Sequence, residues 1–197
     1  VNSPIRTNKV TDPELIAALE RVPLERFVDD DLEGVAYLDE DLPLGDGRFL
    51  MEPMVMARMI QFLAIGIGDV VLDVGGGTGY SSAIMAQLAS TVVALEPDAG
   101  LAIRATRALI DLSIDNVVVV DGELAVGYPS QSSYDAILLG GAVNEIPSVL
   151  TAQLTEGGRL CAVVVKGAGP GMAVLATRLD GIVAQRNLFD ANVQPLP

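Results

Sequence analysis

Residues 73–80 read DVGGGTGY, directly behind the short apolar run Val70-Val71-Leu72. Glycine next to regular structure costs conformational entropy unless the backbone needs a positive φ or must pass close to something that leaves no room for a Cβ. Three consecutive glycines and a fourth two residues later therefore mark a strand-to-helix turn built around a ligand.

The flanking sequence fits that turn into a sheet. Val70 to Val74, Thr91 to Leu95, Asn116 to Val120, Tyr134 to Leu139 and Arg159 to Val165 are short, aliphatic and rich in β-branched residues, as buried strands are. Helical patterns at about Thr78 to Leu88 and Asp98 to Leu112 separate the first three. A shorter one, Ile146 to Leu154, separates the last two. Strands alternating with helices pair in parallel through right-handed crossovers, so the fold class is α/β, a doubly wound, mostly parallel sheet. Met172 to Leu179 and Ile182 to Phe189, joined by Asp180-Gly181, predict a C-terminal antiparallel hairpin. Ahead of the sheet, Thr11-Asp12-Pro13-Glu14 has the form of a capping box opening a helix that ends near Pro23. Pro53 opens a second helix with an apolar stripe through Val55, Met56, Met59, Ile60 and Leu63. Between them, Pro43, Gly45 and Gly47 signal turns, and the acids Asp29 to Asp31 and Asp39 to Asp41 form a solvated face. The expected division is an N-terminal helical, substrate-side segment, 1–66, and a ligand-binding unit, 67–197, in one compact body.

Composition narrows the chemistry. The 197 residues carry a net charge of -14, which disfavours a nucleic-acid partner over most of the surface. The single cysteine, Cys161, sits inside an apolar run and reads as a buried, inert thiol. There is no histidine, so the usual triad base and the commonest zinc ligand are missing, and no metal is expected. No stretch of 18 uninterrupted apolar residues is present, and VNSPIRTNKV lacks the apolar centre of a signal peptide. A soluble, cytoplasmic protein without a membrane partner is the expectation.

The loop excludes two common phosphate binders. A P-loop needs a lysine that is not there, and a dinucleotide fingerprint counted from Gly75 would put its last glycine where Tyr80 stands. What remains is an acid, Asp73, ahead of Gly75, Gly77 and Gly79, with Glu96-Pro97 ending the second strand and Asp121-Gly122 the third. A carboxylate at the second strand's tip accepts from both hydroxyls of a ribose and repels a 2′-phosphate. Acids at three successive strand ends suit a positively charged nucleoside without phosphate, which is S-adenosylmethionine.

Together with this loop, LIAALERVPLERFV (15–28), LPLGDGRFLMEPMVMARM (42–59), YDAILLGGAVNEIP (134–147) and LTEGGRL (154–160) make the chain resemble the protein-L-isoaspartate O-methyltransferase family over nearly its full length. The resemblance implies a Rossmann-like methyltransferase fold and methylation of the isoaspartyl carboxylate in damaged proteins. It also implies that Asp73, Gly75, Gly77 and Gly79 hold the methionine part of the cofactor, Glu96 the ribose, and Asp121 with Gly122 the adenine. Gly76, Thr78 and Pro97 belong to the same expected site. An ionised carboxylate acceptor needs positioning and desolvation more than a base, which a histidine-free chain can supply.

One stretch departs from the family. Its Thr-Ile-Ser type tripeptide corresponds here to Phe49-Leu50-Met51, so two hydroxyls that would sit at the reacting carboxylate are replaced by apolar groups. Glu52 adds a negative charge near the place of an anionic acceptor. Arg48 reads either as a solvated loop residue or as a bidentate clamp for the acceptor. Arg48, Phe49, Leu50, Met51 and Glu52 are thus the candidate substrate-loop residues, and the alternatives left open are another methyl acceptor or a sensor that binds the cofactor without transfer.

Overall fold

A computed structural model describes residues 10–38, 40–167 and 169–197. The N-terminal stretch 1–9 and Asp39 of the acidic cluster lie outside the described residues. A seven-stranded sheet runs β5-β4-β3-β6-β7-β8-β9, with β3 at Val70–Val74, β4 at Thr91–Leu95, β5 at Val117–Val120, β6 at Tyr134–Val143, β7 at Leu154–Val164, β8 at Met172–Leu179 and β9 at Ile182–Asp190. Pairing is parallel from β5 across to β7 and antiparallel for β7-β8 and β8-β9. The β8-β9 turn places Asp180 and Gly181 at φ 52° and 74°, two consecutive positive values, as a two-residue hairpin turn that matches strand twist requires. A separate antiparallel pair, β1 at Leu42–Gly45 and β2 at Arg48–Leu50, forms within the stretch before the second helix.

Helix α1 (Pro13–Arg21) is capped by Asp12, whose side chain accepts from the Glu14 and Leu15 amides at 2.9 and 3.1 Å. The sequence reading put Thr11 at the cap; Thr11 instead donates its amide to Gln61 at 2.6 Å, because Asp12 is the residue next to Pro13 at the first helical position. Helix α2 spans Pro53–Leu63, α3 Tyr80–Ala86, α4 Ala99–Asp111 and α5 Ser148–Thr151.

Alternation along the strands divides the core. Val71, Val92, Ala136, Leu138, Cys161 and Val163 pack with the apolar faces of α1, α2, α3 and α4. Leu72, Val74, Val93, Leu95, Ile137, Leu139, Leu160 and Ala162 face the other way, onto Leu124, Tyr134, Leu150 and Leu154. That second face is covered by the connection after β5 and by α5, which is a single turn rather than the longer helix expected over 146–154. Tyr134, fully buried, anchors this cover by donating its hydroxyl to the Tyr128 carbonyl at 2.7 Å. Cys161 lies wholly inside the first layer, and burial pushes its thiol up to about 12. Two strands run longer than their aliphatic cores. β6 continues through Gly140-Gly141 to Val143, and β7 begins at Leu154, five residues before the predicted Arg159.

Candidate active site

The carboxyl ends of β3, β4, β5 and β6 converge on the glycine loop. Gly75, Gly77 and Gly79 have φ of 74°, 58° and 92°, a backbone that L side chains rarely adopt. The loop is pinned from beneath by the Gly75 amide on the Leu95 carbonyl at 2.9 Å. It is pinned from the side by Thr78, whose hydroxyl donates to the Phe27 carbonyl at 2.6 Å. Thr78, expected in the site, therefore spends its side chain on the N-terminal segment. A missed contributor is Gly140: a Cβ there would stand 2.4 Å from the Gly75 carbonyl oxygen, so only glycine lets β6 close against the loop.

Asp73, near the end of β3, is completely buried. Ser81 and Ser82, at the start of α3, donate their hydroxyls to its Oδ2 at 2.6 and 2.5 Å. Its Oδ1 has no partner. Burial pushes the carboxyl from 3.8 up to about 6; the two serine hydroxyls pull it down, and the Glu96 charge pushes it up further. The two serines were not singled out from sequence, although a serine pair beginning two residues past the last glycine puts hydroxyls on the first turn above an acid.

Glu96 is also buried, at 2% exposure, and its carboxylate is fully engaged. Oε1 accepts from Arg48 Nη1 at 2.5 Å and from the Asp98 amide at 3.0 Å. Oε2 accepts from Arg48 Nη2 at 2.7 Å and from the Gly77 amide at 2.9 Å. Arg48 is thus neither a solvated loop residue nor free to clamp a substrate, the two alternatives its sequence position allowed. Strand β2 carries it inward to 6% exposure, where its guanidinium forms a fork-to-fork ion pair with Glu96 and reaches the Gly75 carbonyl at 3.3 Å.

Pro97 and Asp121 are exposed and, with Glu96, Ala102, Ile103 and Val120, line an open groove of about 620 Å³. Gly122 lies against Leu95, whose Cδ1 would be 3.0 Å from an added Cβ. On the far side of the loop the space is small. Phe49, Leu50, Met51, Gly75, Gly76 and Gly140 border a cavity of only about 20 Å³. Leu50 and Met51 are buried, Phe49 is half-buried, and none offers a hydrogen-bond donor from its side chain. Glu52 is half-buried and gives its amide to Asp41 Oδ1 at 2.7 Å.

Two segments roof this side. Leu44 of β1 lies 2.8 Å from where a Gly77 Cβ would be, and Leu196 of the C-terminal tail 2.5 Å from the corresponding point on Gly75. The tail docks on β6 through the Ala142 amide to the Gln194 carbonyl, 2.9 Å, and the Leu196 amide to the Ala142 carbonyl, 2.8 Å. Asp41 joins the two roof segments, because its Oδ2 accepts from the Gln194 amide at 2.6 Å.

The sequence model of the family described as protein-L-isoaspartate(D-aspartate) O-methyltransferase matches residues 2–195. A protein-L-isoaspartate O-methyltransferase of Methanoculleus marisnigri is 40% identical over 160 residues, covering 81% of this chain and 73% of the relative. One from an Anaeromyxobacter species is 38% identical over 191 residues, covering 95% of this chain and 89% of its own. A solved protein-L-isoaspartate O-methyltransferase superposes with a TM-score of 0.86 at 26% identity, over 98% of this chain and 63% of that one. A Plasmodium falciparum structure of the same description, in complex with S-adenosyl-L-homocysteine, superposes at 0.85 with 20% identity, which shows the likeness of fold.

Proposed function

Because this chain belongs to the protein-L-isoaspartate(D-aspartate) O-methyltransferase family, we propose that it transfers a methyl group from S-adenosylmethionine to the carboxylate of an isoaspartyl residue in a protein or peptide. The observation that carries the reading is Asp73: a fully buried carboxyl beside a positive-φ glycine turn, with one oxygen left without a donor. A buried acceptor atom without a partner is costly, and an ammonium group is a strong donor for it. The residues present fit the cofactor in this way. Asp73 Oδ1 takes the methionine ammonium, the backbone of Gly75 to Gly79 lies against the methionine chain, Glu96 takes the ribose, and Asp121 of the open groove, with Gly122 next to it in sequence, takes the adenine. Bound there, S-adenosylmethionine supplies a methyl carbon made electrophilic by its sulfonium.

The chain's own work is then to hold an anion in line with that carbon and to keep water away. An isoaspartyl carboxylate is ionised at neutral pH and attacks with its own lone pair, so no residue has to remove a proton. Phe49, Leu50 and Met51 supply a dry wall on the acceptor side, which strengthens charge interactions within the site and weakens hydration of the nucleophile. The same three residues favour one second reading, an acceptor less polar than isoaspartate, since they give no hydroxyl to an incoming carboxylate.

The test is transfer of labelled methyl from S-adenosylmethionine to an isoaspartyl peptide and to its normal aspartyl counterpart, scored as base-labile ester. Selective labelling of the isoaspartyl form is the expected result. Binding of the cofactor with no ester on either peptide would refute the isoaspartyl assignment and favour the second acceptor.

A further inference from the structure

The ion pair between Arg48 and Glu96 stands where the cofactor's ribose has to bind. A carboxylate offers about four acceptor positions, and those of Glu96 are taken by Arg48 Nη1 and Nη2 and by the Gly77 and Asp98 amides. Two ribose hydroxyls cannot be added to that set. The backbone amides belong to the loop and to the start of α4, and they stay with the fold. The guanidinium is the exchangeable partner, because it hangs on a flexible side chain from a three-residue strand.

We propose that Arg48 is an exchangeable counter-ion: the cofactor's ribose displaces it from Glu96, and the released guanidinium turns to the acceptor side, where it holds the incoming carboxylate. The inference rests on the methyltransferase reading above. Three features support the second half. Arg48 is the one buried cation among the described residues, against the buried acids Asp73 and Glu96. Its Nη2 already touches the Gly75 carbonyl, and the residue borders the small space of about 10 Å³ between Asp41, Phe49, Met51, Gly140 and Leu196, so a turn of its side chain together with a shift of the roof over that space brings it to the acceptor side. Phe49 and Met51 give that space no donor and Arg48 is the one cation among the residues lining it, so an anion placed there has no other positive charge close by. A buried ion pair is itself a weak source of net stability, since desolvation offsets most of the attraction, and exchanging one anionic or hydroxyl partner for another is therefore within reach of binding energy.

The consequence is order. The cofactor must bind first, and the acceptor's affinity must depend on it. Calorimetric titration with S-adenosylhomocysteine is run on the full chain and on Arg48→Gln, followed by titration of each with an isoaspartyl peptide. With its competitor gone, Glu96 is always free, so Arg48→Gln is expected to bind S-adenosylhomocysteine about tenfold tighter. The peptide is expected to bind the natural chain only once S-adenosylhomocysteine is present, and to bind Arg48→Gln weakly in either case. A measurement on the natural chain guards against loss of folding in the variant. In arginine-selective ¹⁵N spectra the Arg48 guanidinium signals, assigned by their loss in Arg48→Lys, should show hindered rotation in the free protein, lose it on saturation with S-adenosylhomocysteine, and regain it with peptide. Unchanged Arg48 signals at saturating S-adenosylhomocysteine, or equal affinity of the natural chain and a folded Arg48→Gln, would overturn the exchange while leaving the methyltransferase reading intact. Failure of both folded proteins to bind S-adenosylhomocysteine at all would overturn both.

Discussion

Asp73 couples the stability of the fold to the state of the site, and Asp73→Asn measures the coupling. The carboxyl titrates near 6 in the folded chain and near 3.8 as an ordinary aspartate. Its folded value is therefore raised, chiefly by burial, so between these values the native state holds a proton that the unfolded chain has released. The stability this provides is fully present below about pH 4 and is lost as pH rises through 6. One pKa unit corresponds to about 1.4 kcal/mol, and the shift of about two units gives a loss of roughly 2 to 3 kcal/mol between pH 4 and 7.5. Asparagine keeps the shape and does not titrate, so subtracting its urea-unfolding free energy from that of the natural chain at each pH removes the contribution of the other acids. The difference should fall by roughly 2 to 3 kcal/mol across this range, with most of the fall between pH 4 and 6. S-adenosylhomocysteine should flatten it, because its ammonium favours ionised Asp73, and binding at pH 6 should release protons, visible as a dependence of binding heat on buffer ionisation enthalpy. Parallel pH curves for the two proteins would refute the claim that Asp73 is held partly protonated by its surroundings.

Three further outcomes follow from the site's geometry. Gly140→Ala, whose Cβ would meet the Gly75 carbonyl oxygen at 2.4 Å, should lower unfolding free energy by about 1 to 3 kcal/mol, whereas Gly68→Ala, with nothing within 4 Å, should stay within about 0.5 kcal/mol in the same urea titration. Asp41→Ala removes the acceptor shared by the Glu52 and Gln194 amides and should speed hydrogen exchange at Gln194 and Leu196 by about tenfold or more while leaving the central strands protected. Restoring both hydroxyls with Phe49→Thr and Met51→Ser should raise kcat/KM for the isoaspartyl peptide by about tenfold or more if each donor is worth about 1 kcal/mol in the dry pocket; an unchanged value would mean that this wall does not face the reacting carboxylate.

Most of the sheet was legible because its information is local. A short run dominated by aliphatic residues, followed by a turn and a helical stretch, needs no distant partner to be read, and β3, β4 and β5 lie within a residue or so of their predicted limits. The errors fall where glycine carries a tertiary meaning. The aliphatic run predicts β6 only as far as Leu139, ahead of Gly140-Gly141. The strand continues because these glycines admit Gly75 on one side and the Gln194 and Leu196 backbone on the other, neither of which is near in sequence. β7 is predicted from Arg159, after Gly157-Gly158, whereas the strand already begins at Leu154. The short α5 reflects the opposite case, an apolar pattern over 146–154 that is used for burial by Leu150 and Leu154 without being continuously helical.

The candidate site divides along the same line. The acids at strand tips can be read from sequence because a strand end is a place in the fold. The state of those acids cannot, since it is set by partners 48 residues away in the case of Arg48 and Glu96. That pair also accounts for the residue pattern of the substrate loop in electrostatic terms. A chain of net charge -14 that sets Asp41 beside the small space of Phe49 and Met51 creates repulsion toward an anionic acceptor that two lost hydroxyls would make worse. Phe49 and Met51 lower the polarity of the wall, and in a drier wall each charge interaction is stronger. One mobile cation then takes the place of two neutral hydroxyls. Held on Glu96, Arg48 neutralises the buried carboxylate while no ribose is there to bond it; displaced, it supplies the positive charge at the step when the acceptor arrives. The replacement of hydroxyls by apolar groups and the burial of an arginine are, on this argument, one change in the design of the site, and Arg48→Gln should make the apolar wall inhospitable to any carboxylate.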